Sequence, residues 1–300
     1  MKISVLICTH NPRKDYLDKT LDGLKKQNLE RELWELLLID NASEYPIAEK
    51  YDLSWHPNAR YLYEKSVGKP HAIVLGITES KGDLIVFVDD DNVLQENYLK
   101  EALYISEKFT LLGVWSGNIT PEFETEPFKD TISSLPLLTI RNITCDSWGS
   151  YLNNQLVGAG MCIRRDAALL YVKIARYNEK RLILGRVGTC LGGHEDIDLA
   201  YCALDIGYGS GVFSKLKLTH LIPSRRLQKE YLLKLQNEMS LSHVVFLKIR
   251  SINENISGHQ KILNLVSWIY IFIRSSVFRK KMLIAELQGK IKAKKHIGNC

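Results

Sequence analysis

An α/β fold with a mostly parallel sheet, covered by helices on both faces, is predicted by three observations. Short apolar, β-branched runs alternate with stretches of helical periodicity through the first 117 residues. Those runs are apolar at consecutive positions, as strands buried on both faces must be. Several of them end abruptly on polar or acidic residues, at the strand ends where open parallel sheets hold ligands.

Composition agrees. The 300 residues are 45% hydrophobic and 25% charged, enough for a substantial core and not a disordered chain. The net charge of +6 is concentrated in the tail, where Arg274 to His296 carries eight Lys and Arg against Glu286. The body is therefore near neutral, which gives little support to a nucleic-acid footprint laid over a folded face. The six cysteines form no CxxC pair and no zinc spacing, and buried free thiols in a reducing compartment are expected. Met1 to Cys8 is too short an apolar run for a signal peptide, so a cytoplasmic location is expected and the sequons at Asn118, Asn142 and Asn255 carry no weight.

Ile3 to Cys8 reads as the first strand, and Asn11-Pro12 suits a helix N-cap and first helical residue. Leu17, Leu21 and Leu24 recur at helical spacing, and Glu35 to Asp40 is a second buried strand ending on an acid. Ala59 to Lys65 reads as a third strand, Pro70 to Ser80 as a helix, and Asp83 to Asp89 as a fourth strand. A helix over Glu96 to Phe109 places Leu99, Leu103 and Ser106 on one side, and Gly113 to Gly117 adds a short strand. Patterning fades over 118–157, as in a segment that covers a site. Order returns over Val157 to Ile163, and a helix starts at Asp166. After a glycine-rich loop at 185–193, another helix opens at Glu195-Asp196 with Leu199, Cys202, Ala203 and Ile206 as its apolar face. Lys215 to Thr219 alternates like an edge strand and leads into His220. The expected organisation is one unit over 1–235, with halves 1–117 and 118–235, followed by a helical basic and apolar extension over 236–300.

Asp89-Asp90-Asp91 is the most informative segment, because three adjacent carboxylates repel one another unless a cation sits among them. Oxygen ligands suit Mg²⁺ or Mn²⁺, which take one or two carboxylates and complete their shell with substrate phosphates. In an extended chain Asp89 and Asp91 share a side and Asp90 faces away, so one could hold the metal and the other a sugar hydroxyl. A solvated acidic turn is the plainer alternative. Glu195-Asp196 suits either a helix start complementing the dipole or a base that takes a proton from a hydroxyl. His220 suits a structural hydrogen bond or a ligand. Arg225 and Arg226 suit a basic helix start or bidentate pairing with a diphosphate.

Taken in order, Ser4 to Arg13, Leu38-Ile-Asp40-Asn-Ala-Ser43, Gly82 to Asp91, Glu195-Asp196-Ile-Asp198-Leu199 and His220-Leu-Ile-Pro223 resemble the family 2 glycosyltransferases of the GT-A, Rossmann-like fold, over about residues 1 to 235. The resemblance implies a nucleotide-sugar-binding half over 1–117 and an acceptor-binding half over 118–235. Thr9, Asn11 and Asp40 would hold base and ribose, and Asp89 to Asp91 would form the Asp-x-Asp site, with Asp90 on the donor and Asp91 on Mn²⁺ or Mg²⁺ beside His220. Asp196 would be the catalytic base, Glu195 and the segment Gly158-Ala-Gly160 would lie on the acceptor side, and Arg225 would meet the diphosphate. Such enzymes invert the anomeric centre in one displacement and act on a glycan or lipid-linked glycan acceptor, as in bacterial surface polysaccharide synthesis.

Two departures stand out. Ala72-Ile73-Val74 replaces the usual Ala-Arg-Asn, leaving Lys69 or His71 to substitute as the donor contact, and Cys202 replaces an arginine often found after Glu-Asp. Two rivals remain: a catalytically inactive protein on the same fold, and a metal-dependent nucleotidyltransferase, which would normally show a glycine-rich phosphate loop where this chain has Thr9-His-Asn-Pro.

In the tail, the apolar run Ile262 to Ile273 ends at Arg274, well short of the roughly twenty residues that span a membrane. With the cations behind it, the segment 262–296 suits either the interface of an anionic membrane, at the inner face of the cytoplasmic membrane, or a helix packed on the core or a second subunit. Oligomeric state is not readable.

Overall fold

The computed structural model describes residues 1–252 and 258–298. Asn255, Cys300 and the side chains of Lys295 and His296 lie outside the described residues.

The chain begins β1 (Ile3–Thr9), α1 (Lys14–Lys25), β2 (Trp34–Asn41), β3 (Ala59–Glu64), α2 (Lys69–Glu79), β4 (Leu84–Phe87), β5 (Asn92–Leu94), α3 (Tyr98–Lys108) and β6 (Leu112–Phe123). It continues β7 (Ser147–Gly149), β8 (Cys162–Arg164), α4 (Arg165–Tyr177), α5 (Glu195–Asp205), β9 (Gly209–Ile222), α6 (Lys229–Ile249), α7 (Gly258–Arg274) and α8 (Val277–Gly298). One sheet runs β3-β2-β1-β4-β8-β6-β9-β5, with β7 beside β9. Pairing is parallel from β3 to β4 and again along β6 and β9, and antiparallel around β8 and β5. Parallel ladders hold most of the paired residues, as the uninterrupted apolar runs of β1, β2 and β4 require. One apolar layer joins that sheet to α1 and α3, a second joins it to α2, α4 and α5, and a third unites α6, α8 and the segment around Leu138.

Several local expectations change. α1 starts at Lys14, because Asn11 takes a left-handed φ of 49° and turns the chain before the helix. Leu99 and Ala102, rather than Leu103 and Ser106, form the fully buried face of α3. β6 is twelve residues long, since Asn118 to Phe123 pairs with Lys217 to Ile222. Lys215 to Thr219 therefore lies inside the sheet, and its alternation reflects a bulge where Gly117–Asn118 faces Phe213–Lys217. On α5, Leu199, Cys202 and Ala203 are buried but Ile206, after the helix, is exposed. Cys145 and Cys190 are exposed, so only part of the thiol set is buried. No described helix is long and apolar enough to cross a membrane.

Candidate active site

The sheet brings most of the predicted residues to one cleft of about 470 Å³. Thr9 arrives at the carboxyl end of β1, the acidic triplet just after β4, Lys69 at the first residue of α2, Asp196 at the second residue of α5, and His220 near the end of β9. An open groove of about 690 Å³ between α1 and the β5–α3 turn holds none of the candidate residues.

The triplet is a turn, closed by Asn92 N–H donating to the Asp89 carbonyl at 3.0 Å, and not the extended segment expected. All three side chains consequently line the cleft, Asp90 included, and each has its own partner. Lys69 Nζ lies 2.7 Å from Asp89 Oδ1, and Thr9 Oγ1 donates to Asp90. Arg226 Nη1 lies 2.9 Å from Asp91 Oδ2, with His220 Nε2 3.5 Å from the same oxygen. The antiparallel register that sets Asn92 across from His220 brings the preceding Asp91 beside it.

Burial raises all three carboxyls, but their partners divide them. Burial and the neighbouring Asp91 push Asp90 up to about 6 against the Thr9 hydrogen bond. Against burial, the Lys69 cation lowers Asp89, and Arg226 with His220 holds Asp91 well below the usual carboxylate range.

Across the cleft, Asp196 accepts from Gly158 N–H through Oδ2 and from Ile197 N–H through Oδ1, both at 2.8 Å. Burial raises its pKa above the ordinary value, against the Lys69 cation and these two bonds, which favour the ionised form. Glu195 is pushed up to about 7, by burial first, with Asp196 adding and Lys69 at 3.9 Å opposing. Its Oε2 is buried without a hydrogen-bond partner.

Other predicted residues lie elsewhere. Asn11 is exposed and Asp40 buried, and both brace the loop after β2: Asn11 Oδ1 accepts from Glu44 N–H, and Asp40 accepts from Ser43 and Ile47 N–H. Asn41, next to Asp40, lines the cleft instead. Gly160 turns away at φ 68°, its carbonyl accepting from Tyr98 Oη at 2.6 Å, and Gly158 takes the cleft position. Arg225 is exposed and outside the lining, whereas Arg226, one step along the same 3₁₀ turn, enters it. Ala72 and Ile73 are core residues, and of the two expected substitutes Lys69, not His71, reaches the acids. Sequence reasoning did not single out Arg141 or Arg186 among the lining residues; both sit in stretches without periodicity.

The parallel strands that deliver these acids, with the helix-start carboxylate across the cleft, form a fold of the GT-A class. Within that class the chain belongs to glycosyl transferase family 2, whose model matches residues 4–168. Over 155 residues it is 30% identical to the poly(ribitol-phosphate) β-N-acetylglucosaminyltransferase TarS of Staphylococcus aureus strains Mu50 and MW2, covering 48% of this chain and 26% of each relative. The match thus spans about a quarter of those relatives' length. The crystal structure of S. aureus TarS 1–349 in complex with UDP-GlcNAc aligns with TM-score 0.53 at 13% identity, covering 99% of this chain and 92% of that one. GalNAc-T7 with UDP, GalNAc and Mn²⁺ aligns with TM-score 0.53 at 16% identity, covering 81% and 48%. At such identities the likeness is one of fold.

Proposed function

We propose that the chain transfers a sugar from a nucleoside diphosphate sugar, UDP-linked in preference to GDP-linked, to a hydroxyl of a glycan or lipid-linked glycan, with inversion. The observation that carries this reading is Asp196, fixed by two N–H donors and facing the acidic triplet in one cleft. UDP-GlcNAc in the TarS structure supports the choice of nucleotide. On this reading Asp196 takes the acceptor proton as the hydroxyl attacks, and the N–H groups of Gly158 and Ile197 keep its oxygens aimed. Lys69 keeps Asp89 ionised and orients it toward the donor. Arg226 carries guanidinium hydrogens suited to a departing diphosphate. Residues 1–235 would form the catalytic unit and 236–300 its extension.

Asp91 and His220 fit a divalent cation. Asp91 Oδ2 and His220 Nε2 converge on one positive group, the Arg226 guanidinium, at 2.9 and 3.2 Å, and His220 Nδ1 is buried without a partner. No group of three or more His, Cys, Asp or Glu that could hold a metal occurs among the described residues, so two protein ligands would leave the remaining positions to phosphate oxygens and water. Mn²⁺ or Mg²⁺ held there would neutralise charge on the leaving diphosphate.

The reading extends to peripheral contact with an anionic membrane. Leu265, Val266, Tyr270 and Ile273 on α7 are 58%, 58%, 59% and 67% exposed, and Arg274, Arg279 and Lys281 follow, all exposed. Vesicles with anionic lipid should sediment the full chain and neutral vesicles should not.

The deciding measurement is thermal stabilisation by UDP, GDP and CDP, each with and without Mn²⁺, since a ligand that binds only the folded chain raises its melting temperature. UDP with Mn²⁺ should give the largest rise, and Asp196→Asn should keep that rise while losing turnover. No rise with any nucleotide would overturn the reading in favour of a non-catalytic protein on this fold.

A further inference from the structure

α5 carries Asp196 at its second position, and what holds α5 comes from far along the chain. Asp198 is 0% exposed and meets two arginines. Arg181 Nη1 reaches its two carboxylate oxygens at 2.5 and 2.7 Å, and Arg250 Nε reaches Oδ1 at 2.5 Å. Arg250 does more than pair with one acid. Its Nη2 donates to the Asp198 carbonyl at 2.5 Å and to Cys202 Sγ at 3.4 Å, and its Nη1 pairs with Asp205. One guanidinium thus grips residues 198, 202 and 205 along the length of α5, and its side chain is only 7% exposed.

Cys202 stands four residues after Asp198, where an arginine on the same helix face would reach that carboxylate. This chain supplies the cation instead from the C-terminal cap of α6, beyond the family-matched region. Arg181 and Arg250 balance Asp198 and Asp205 in charge, but the bonds from Arg250 Nη2 to the Asp198 carbonyl and to Cys202 Sγ are not ion pairs, so Arg250 has a role besides offsetting charge.

We propose that Arg250 is a positioning residue for the reaction: it sets the axial position and tilt of α5, and through them the placement of Asp196 against Gly158. The inference rests on the reading of Asp196 as base. It also makes α6 part of the machinery for turnover. A displacement of about 1 Å at a reacting group costs on the order of 100-fold in rate. Thr9 with Asp90, and Asp91 with His220 and Arg226, are held by contacts outside α5.

The experiment compares wild type with Arg250→Met, Arg250→Lys, and Arg250→Met combined with Cys202→Arg, which returns the arginine to α5. For each, kcat and KM for the donor, UDP binding by thermal shift, and amide exchange at Gly158 are measured. In Arg250→Met, kcat should fall at least tenfold, KM and UDP binding should hold within about twofold, and Gly158 N–H should exchange faster. The lysine variant keeps the charge but loses the planar fork, so it should fold and still lose kcat. Adding Cys202→Arg should restore most of kcat and the protection of Gly158. The proposal is overturned if kcat and Gly158 exchange stay at wild-type values in both single variants, or if Cys202→Arg restores the melting temperature but not kcat. The exchange readout needs no turnover, so an inactive wild type would sink the proposed reaction without deciding the fate of the Arg250 grip.

Discussion

Arg225 and Arg226 are neighbours of one type with opposite fates. A 3₁₀ turn advances about 120° per residue, so one of them points to solvent and the other to Asp91. Arg226→Met should lower transfer about 100-fold or more, because a buried carboxylate and a leaving group lose the same cation. Arg225→Met should leave kcat/KM within about twofold, and steady-state kinetics on the pair checks both. Gly158 makes a similar point without charge. A Cβ there would lie 2.8 Å from both Oδ2 and Cβ of Asp196. Gly158→Ala should therefore displace Asp196 and, on the proposed reading, lower kcat by at least about tenfold with UDP binding little changed. Equal loss of kcat and UDP binding would mean that Gly158 serves the whole cleft and not the base.

Among the elements, the ends of helices and strands carry the chemistry and their middles carry the stability. α2 buries Ala72, Ile73 and Ile77 against the sheet, which fixes its first residue, Lys69, between Asp89 and Glu195. The Ile73-Val74 pair in place of a polar one is thus a packing choice, and the cation has moved to the helix start. The C-terminal helices are fitted to each other as closely. Asn237 Nδ2 donates to the Ala285 carbonyl at 2.8 Å, and a Cβ on Gly289 would fall 2.1 Å from the Asn237 carbonyl oxygen. Gly289→Ala should force α6 and α8 apart and cost about 1–3 kcal/mol by overpacking, measured by denaturant unfolding. A neutral or stabilising result would mean that α8 shifts freely along α6.

For the whole molecule, the buried acids set a pH dependence. Glu195 titrates at about 7 and Asp90 at about 6 in the fold, against ordinary values of 4.5 and 3.8. On these two groups the folded chain holds more protons than the unfolded one between those limits, a contribution to stability that falls as pH rises; His56 and His194, pushed down to about 4 by burial, contribute in the opposite direction below about 6.5. Without nucleotide or metal, the stability difference between wild type and Glu195→Gln isolates that acid and should move in favour of the variant from about pH 5 to pH 8. That move should be on the order of 2–3 kcal/mol, measured by denaturant unfolding at both ends of the range. A difference that stays constant over the same range would show that Glu195 is solvated.

The parallel half of the sheet, the helices of the first 117 residues and the site segments at Thr9, Asp89 to Asp91, Glu195-Asp196 and His220 were legible in the sequence. Strands buried on both faces leave unbroken apolar runs, and carboxylates beside such runs are conspicuous. What tertiary structure alone decided is orientation and long-range partnership. The turn at Asp89 swings Asp90 into the cleft, the left-handed Asn11 delays α1, and one residue of 3₁₀ phase selects Arg226 over Arg225. Arg250 meets Asp198 across 52 positions, and periodicity, which reports only on near neighbours along the chain, contains no trace of such a contact.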